Sequence, residues 1–181
     1  DVIMVGEIRD KETAHIAMEA AMTGHLVLST IHTNDASSVI SRLVDMGLPP
    51  FMIANTLKAI LSQRLSRRLC PECKQPHSPT PEEIQAFQAN GVPIPAGASI
   101  HGPPKEGGCG RCQGLGFMGR AGLHELLLMT DTLRSFCLKE VAADMVRREA
   151  VKEGMRLITQ DGLEKVLQGI TTVREVLGGT E

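Results

Sequence analysis

Four of the five cysteines stand in two pairs whose spacing is typical of a metal centre. The pairs are Cys70-Pro-Glu-Cys73 and Cys109-Gly-Arg-Cys112. Each C-x-x-C turn can place two thiolates on one tetrahedral Zn²⁺. Nearby glycines, at 107, 108 and 110, allow backbone amides to turn toward the sulfurs. Because four sulfurs leave no open coordination position, the sequence predicts structural zinc rather than a catalytic metal.

A redox dithiol and a set of free thiols are the alternatives for these cysteines. A redox pair usually begins a helix that follows a strand, whereas Cys70 follows the end of a predicted helix. The 35 residues between the pairs exceed the usual spacing of about fifteen to twenty. Cys137, the fifth cysteine, falls within a predicted helix and is assigned to the core.

Two short apolar segments near the beginning of the chain each end in polar residues. Val2–Val5 leads to Glu7, and the segment from His25 to Ile31 ends among Thr30, His32 and Thr33. A buried strand with an acid at its C-terminal edge is the arrangement that nucleotide-hydrolysing α/β folds use to hold Mg²⁺ or orient water. An acid after a strand is also common in surface turns, so both interpretations stay open at this point.

The elements that carry these residues read as a βαβ unit. We predict Val2–Val5 as a fully buried strand and His25–Ile31 as a second strand. Between them, Asp10 caps a helix that runs to about Met22 and ends before Gly24. Two parallel strands joined by a helix imply a layered α/β core.

The rest of the chain divides by composition. We predict a helix at Asp35–Met46 and a long helix at Phe51–Leu69, whose C-terminal arginines suit the helix dipole. The segment from Cys70 to Gly119 is rich in proline and glycine, with one predicted helix at Pro81–Ala89. The predicted domains are therefore residues 1–69, 70–119 and 120–181. The last domain is predicted to contain a strand at Arg120–Met129 and helices at Asp131–Glu153, Arg156–Gln168 and Val173–Leu177, the last with a Thr172–Glu175 capping box.

Bulk composition excludes several classes of protein. The 181 residues are 42% hydrophobic, which is enough for a core, and 19 basic residues nearly balance 21 acidic ones. Four phenylalanines are the only aromatic residues, so a base-stacking surface for nucleic acid is not expected. The sequence shows neither a signal peptide nor a run of about 18 apolar residues. We therefore expect a cytoplasmic protein with no nucleic-acid partner.

Five motifs stand in order along the chain: "DVIMVGEIRDKETAHIA", "TGHLVLSTIHTNDA", "QRLSRRLCPECK", "CGRCQGLGFMGRAGLHELL" and "QGITTVREVL". Together they resemble the C-terminal half of the secretion-superfamily ATPases, which drive type II secretion and type IV pilus assembly in bacteria. Within them, "VGEIRD" resembles the Walker B segment of that family, and "GHLVLSTIHT" resembles its histidine box. The resemblance implies an α/β fold: the C-terminal part of a RecA-like P-loop ATPase core, with an inserted tetracysteine zinc subdomain and a helical C-terminal region.

The resemblance also implies roles for individual residues. Glu7 would hold the water shell of Mg²⁺ or polarise the attacking water, although an acidic segment upstream in the family competes for the role of base. Thr30, His32 and Thr33 would contact the γ-phosphate of ATP. His25 opens its strand at the far end, so the sequence does not decide its role. Arg9 is assigned to pairing with Asp10 or with a neighbouring chain.

The phosphate loop G-x-x-x-x-G-K-[ST] does not occur in this sequence. By the resemblance, that loop precedes Asp1, and we expect a C-terminal fragment that is inactive by itself. The parent protein is expected to use ATP, Mg²⁺ and structural Zn²⁺, to form a homohexamer, and to be peripheral at the inner membrane. It would attach there through platform and docking proteins of a secretion or pilus machine.

Two alternatives from other functional classes stay open. One is a non-catalytic zinc-ribbon interaction module, and the other is a silent ATPase homologue that serves as a ring member. The sequence also does not separate type II secretion from type IV pilus extension, because the motifs suit both.

Overall fold

The structure, a computed structural model, describes residues 1–178. The described residues form two compact units, the first made of Asp1–Ser62 and Glu125–Met155 and the second of Gln63–His124 and residues 156–178. The elements are, in chain order, β1 (Val2–Val5), α1 (Lys11–Met22), β2 (Leu26–Ser29), α2 (Ser38–Asp45), α3 (Pro50–Thr56), β3 (Ala59–Leu69), β4 (Gln75–His77), α4 (Pro81–Ala89), β5 (Ile100–Gly102), β6 (Phe117–Leu128), α5 (Asp131–Leu138), α6 (Ala143–Lys152), α7 (Ile158–Leu167) and α8 (Val173–Gly178).

The first unit begins with the predicted βαβ arrangement. Strands β1 and β2 pair in parallel, and α1 connects them. Asp10 caps this helix because its carboxylate accepts a 2.8 Å hydrogen bond from the amide of Thr13. Gly24, at φ +102°, then turns the chain into β2. The α/β class and the parallel pair are thus confirmed.

The prediction that β1 is fully buried is wrong for the described residues. Val2 and Met4 are 62% and 81% exposed, and Leu26 and Leu28 on β2 are also exposed. Alternation along the pleat leaves the other face of the pair partly covered. A run of apolar residues indicates a strand, but the layers that cover its two faces are set by other elements.

The predicted long helix at Phe51–Leu69 is also wrong. Helix α3 ends at Thr56, and Leu57 is extended at φ −64° and ψ 126°. From Ala59 the chain forms β3, which pairs with β6. Backbone pairing with a strand that lies far along the chain overrides the helical propensity of the local sequence.

Arg67 shows what this correction changes. It lies on β3 rather than at the end of a helix, and its guanidinium forms two hydrogen bonds to the Glu175 carboxylate, at 2.5 and 2.8 Å. The same guanidinium stacks 4.4 Å from the centre of the Phe117 ring. In the predicted capping box of α8, the amide of Glu175 does bond the Thr172 hydroxyl at 3.3 Å.

The helices of the C-terminal region follow the prediction with one break. The predicted helix at Asp131–Glu153 is two helices, α5 and α6, separated near Glu140, which has a φ of +50°. Helix α4 has the predicted bounds, and Thr80 and Glu83 form its capping box. Within residues 1–178, no helix combines the length and the apolar character that crossing a bilayer requires.

The second unit has an apolar core shared by its two segments. Phe87, Val92 and Ile100, from the cysteine-containing part of the chain, pack with side chains that include those of Leu163 and Val176 from the last two helices. Strands β4 and β5 pair antiparallel beside this core. The predicted boundary between a zinc-binding domain and a C-terminal domain stays a prediction.

We expect Gly169→Ala to destabilise the second unit more than Gly91→Ala does. Both glycines follow a helix and have nearly the same φ, +67° and +66°. A Cβ at Gly169 would lie 2.8 Å from Nδ1 of His101 and 2.9 Å from Nζ of Lys74, whereas at Gly91 nothing lies within 4 Å. The shared left-handed conformation costs roughly 1 kcal/mol in each variant, and crowding adds roughly 1–2 kcal/mol at Gly169 alone.

Urea unfolding followed by far-UV circular dichroism measures both variants, since the chain contains no Trp or Tyr. Equal losses in the two variants would contradict the expectation, because only the contacts with His101 and Lys74 distinguish them.

Candidate functional site

The polar residues that follow β1 and β2 meet at one edge of the parallel pair. The amide of Ile8 donates a 2.8 Å hydrogen bond to the carbonyl of Thr30, which holds the two chain segments side by side. Here Oε1 of Glu7 lies 3.0 Å from Nε2 of His32. Its other oxygen lies 2.5 Å from the guanidinium of Arg9. The structure therefore joins the acid of one segment to the histidine of the other.

The Glu7 carboxylate is ionised and accessible from one side. Its side chain is 20% exposed, while those of Arg9 and His32 are 74% and 88% exposed. The hydrogen bond from Arg9 holds the pKa of Glu7 below its usual value; burial opposes this shift, and the charges of Arg9 and His32 favour it. A carboxylate of this kind can accept a proton or bind a hydrated cation.

The hydroxyls of Thr30 and Thr33 donate hydrogen bonds to backbone carbonyls at the same edge. The Thr30 hydroxyl donates to the carbonyl of Gly6 at 2.8 Å, directly before Glu7. The Thr33 hydroxyl donates to the carbonyl of Asp35 at 3.0 Å. Both side chains therefore fix the loops that carry Glu7 and His32.

His25 lies at the opposite end of β2 from Glu7. Its Nδ1 is 3.1 Å from the hydroxyl of Thr23 and 3.2 Å from the carbonyl of Ala20. These contacts tie the ring to the C-terminal end of α1, so His25 connects the helix to the strand that follows it.

Sequence reasoning missed two participants at this edge. Arg9 was expected to pair with Asp10 or with a neighbouring chain, yet Asp10 caps α1 and Arg9 binds Glu7. Glu125, on β6, is 2% exposed, and its Oε1 accepts a 3.1 Å hydrogen bond from the amide of Ala36. The available signal was a carboxylate at position 125, in step with the buried leucines at 123 and 127.

The two cysteine pairs converge on one point. The Sγ atoms of Cys70 and Cys109 are 3.8 Å apart, as are those of Cys73 and Cys112. The Sγ atoms of Cys109 and Cys112 are 3.9 Å apart, and all four lie within 4.8 Å of one another. A Zn²⁺ ion with four sulfurs at about 2.3 Å requires tetrahedral edges of about 3.8 Å. The four sulfurs therefore match the dimensions of a tetrathiolate centre.

The surroundings of the sulfurs also suit a cation. The amide of Gly116 donates to Sγ of Cys112 at 3.2 Å, a role that the sequence analysis gave to other glycines. Burial raises the pKa of Cys112, but this bond and the neighbouring thiols lower it to about 7. At Cys73 a backbone bond from Cys109 lowers the pKa, yet burial and the other thiols raise it to about 12. Holding all four groups as thiolates thus requires a positive charge among them.

His101 makes the second unit sensitive to acid. Its Nδ1 is buried with no hydrogen-bond partner among residues 1–178. Burial, together with the charges of Lys74 and His77, lowers the pKa of His101 below 6.5. Below about pH 6.5, His101 binds a proton in the unfolded chain but stays neutral in the folded chain. Its contribution to the free energy of unfolding is therefore fully present above about pH 6.5 and is lost as the pH falls through the pKa of the folded state.

We expect His101→Gln to lose less stability than the parent chain between neutral pH and about pH 5.5, since the substitution removes this titration. The urea midpoints of the variant and of the parent chain are compared at each pH. Because both proteins contain the same cysteines, the contribution of the cysteines to the pH dependence cancels in the difference between the midpoints. His15→Gln, on α1 with a side chain 41% exposed, is the control. An unchanged pH profile in His101→Gln would show that His101 does not carry the effect.

Together, these observations define the class: an α/β protein with an acid–histidine edge on a parallel strand pair and a tetracysteine centre. The chain belongs to the family described as Type II/IV secretion system protein, whose model matches residues 1–178.

Named relatives share most of this chain. It is 48% identical over 180 residues to the type IV pilus assembly ATPase PilB of Thermus thermophilus, covering 99% of this chain and 20% of that protein. It is 45% identical over 181 residues to the type II secretion system protein E of Dickeya dadantii, covering 100% of this chain and 34% of that protein. The chain therefore spans between a fifth and about a third of the length of these two relatives.

A solved structure shows the same architecture. The ATPase DotB of Legionella pneumophila superposes with a TM-score of 0.61 at 25% identity, covering 97% of this chain and 37% of that one. The resemblance to secretion and pilus motors that the sequence motifs indicated is thus confirmed.

Proposed function

We propose that this chain is the C-terminal part of a hexameric, RecA-like motor ATPase whose ATP hydrolysis powers type II protein secretion or type IV pilus assembly. The observation that carries the proposal is the contact between Glu7 and His32, 3.0 Å across the ends of two parallel strands. Ligands of open α/β sheets bind beyond the carboxyl ends of the strands. Because relatives in this family are named as ATPases, we propose ATP as the ligand at this edge.

Glu7 is proposed to act on the metal or the water of the reaction. Its ionised carboxylate suits a hydrogen bond to the water shell of Mg²⁺ or to the attacking water. The bond from Arg9 fixes one carboxylate oxygen of Glu7. The other oxygen is available to His32 and to a water of the reaction. Since the family places a further acid in its N-terminal part, the proposal gives Glu7 a catalytic role without making it the only base.

Thr30, His32 and Thr33 are proposed to contact the γ-phosphate and to transmit its loss. The ring of His32 is 88% exposed, so its bond to Glu7 is open to exchange for a phosphate oxygen. Thr30 and Thr33 both lie on the loop after β2: the Thr30 hydroxyl bonds this loop to the carbonyl of Gly6 before Glu7, and the Thr33 hydroxyl bonds within it, to the carbonyl of Asp35. A change of bonding partners at one oxygen can thereby reposition both segments, as in other nucleotide switches.

The tetracysteine centre is proposed to hold one structural Zn²⁺ through Cys70, Cys73, Cys109 and Cys112. The distances between the sulfurs and the lowered pKa of Cys112 support this assignment. Bound zinc would cross-link the chain after β3 to the turn before β6 and keep the four thiols ionised. Its full set of sulfur ligands excludes a part in ATP hydrolysis.

The complete motor is proposed to be cytoplasmic and peripheral at the inner membrane, docked to platform proteins of a secretion or pilus machine. Such a motor would couple hydrolysis to domain motion that extrudes pilin or pseudopilin subunits. The balance of 19 basic and 21 acidic residues supports protein partners rather than nucleic acid.

A segment exchange tests the function. Residues 1–178 would replace the matching segment of the Thermus PilB ATPase, with which they are 48% identical. We expect the chimera to hydrolyse ATP with Mg²⁺ and the 181-residue chain alone to show no turnover, because the sequence lacks the phosphate loop.

The alternatives predict different results. A silent homologue would yield a folded, hexameric chimera without turnover, and an interaction module would yield one that does not assemble. Either result would overturn the proposal. Mg²⁺-dependent hydrolysis by the isolated chain would contradict the assignment of the phosphate loop to a segment outside these residues.

A further inference from the structure

Glu125 is a carboxylate in a position built for an apolar side chain. It lies on β6, where it is 2% exposed, and Leu127, two residues further on the same face of the strand, is 0% exposed. A buried carboxylate is retained only where hydrogen bonds offset its loss of hydration. The amide of Ala36 is one of its donors, at 3.1 Å.

The segment that Glu125 contacts is the end of the loop that carries His32. Ala36 is 0% and Ser37 is 2% exposed, so this end is packed into the first unit. Asp35 organises it further, because its carboxylate accepts bonds from the Ser37 hydroxyl at 2.6 Å and the Ser38 amide at 2.9 Å. The loop is thus anchored at Ala36 and open at His32, whose side chain is 88% exposed.

We propose that Glu125 is a positioning residue for the acid–histidine edge: its carboxylate fixes the Ala36 end of the loop so that His32 stays over Glu7. Only three residues separate His32 from Ala36, so a displacement at the anchor moves the imidazole. This inference rests on the proposed function for its consequence in ATP hydrolysis, but the positioning itself is independent of ATP.

The positioning is tested in the 181-residue chain by three variants. Glu125→Leu keeps an apolar residue in the core, Glu125→Gln keeps an acceptor oxygen for the Ala36 amide, and Glu153→Gln is the control. Glu153 is a carboxylate of the same unit that binds the Thr130 hydroxyl at 2.7 Å, away from the loop. Far-UV circular dichroism and thermal melting establish that each variant is folded.

Nuclear magnetic resonance then reads out the loop. In Glu125→Leu we expect amide exchange at Ala36 to accelerate at least ~tenfold, as loss of one buried hydrogen bond implies. At fixed pH, the His32 ring signals should shift toward those of Glu7→Ala, in which the carboxylate that contacts His32 is removed. Glu125→Gln and Glu153→Gln should keep the parent spectrum at His32.

Unchanged His32 signals in folded Glu125→Leu would overturn the proposal, as would a Glu125→Gln variant as perturbed as Glu125→Leu. In an active PilB chimera, Glu125→Leu should lower kcat at least ~tenfold with KM for ATP nearly unchanged, while Glu125→Gln restores most of it. If the chimera is inactive, the proposed function fails, and the resonance experiment still decides whether Glu125 positions the loop.

Discussion

Replacing Cys109 by serine is expected to abolish zinc binding and the ordered structure around the two cysteine pairs. Sγ of Cys109 lies 3.8 Å from Sγ of Cys70 and 3.9 Å from Sγ of Cys112, so its loss opens the tetrahedron. Structural zinc contributes about 10–16 kcal/mol of apparent binding energy in small zinc-dependent folds, which is comparable with the whole stability of a typical domain, about 5–15 kcal/mol. Native mass spectrometry should find one zinc per chain in the parent and none in the variant.

Cys137→Ser is the matched control. Cys137 is 1% exposed within α5, and its Sγ is 3.5 Å from the carbonyl of Pro50, outside the centre. This variant should keep one zinc per chain, with at most a modest loss of stability. A parent chain without zinc and with all five thiols titratable would refute the tetrathiolate assignment.

The core of the second unit sets how the loss of zinc will appear. Phe87 and Ile100 pack with residues of the last two helices, so these helices retain apolar partners that do not depend on the metal. We therefore expect hydrogen exchange to rise first around the cysteines and β4, and later at the shared core. This gradient distinguishes local unfolding from collapse of the whole unit.

Glu7→Gln in the PilB chimera is expected to lower kcat by about 10²–10⁴-fold, the range that a positioned acid or base supplies. The amide keeps the shape of the side chain but loses the charge that Arg9 stabilises at 2.5 Å. The effect should fall on kcat more than on KM for ATP, because the phosphate loop, which the chimera takes from PilB, provides most of the binding. Steady-state phosphate release measures both constants.

Glu12→Gln is the control for this experiment, since Glu12 is an exposed carboxylate in the first turn of α1. It should leave kcat unchanged within a factor of about two. A Glu7→Gln chimera as active as Glu12→Gln would remove Glu7 from the chemistry and leave the acid upstream in the family as the base.

The acid–histidine edge could be predicted from the sequence because the patterns that indicate it lie within short segments of the chain. An apolar run followed by an acid, a capped helix and a second run define a βαβ unit, and parallel strands bring their carboxyl ends to the same edge. Glu7 and His32 were predicted as site residues from this pattern together with the family resemblance, and they lie 3.0 Å apart. The partner of Arg9 was not readable in this way. Asp10 uses its carboxylate to cap α1, and the exposed Arg9 side chain pairs with Glu7 instead.

Features decided by distant pairing were not readable. The segment from Ala59 to Leu69 has helical spacing and basic residues at its end, yet it forms β3 because β6, some fifty residues away, supplies the partner. The exposed face of β1 was missed for a related reason. A segment of four apolar residues does not specify whether other elements cover one face of the strand or both.

By itself, then, the sequence determined the βαβ unit, the family and the four cysteines that the structure brings together, all of which depend on spacing within short segments. The tertiary structure alone decided that Glu125 meets Ala36, a contact between residues 89 apart in the chain. A carboxylate can be buried only where the fold delivers a donor to it, and no local pattern specifies that donor.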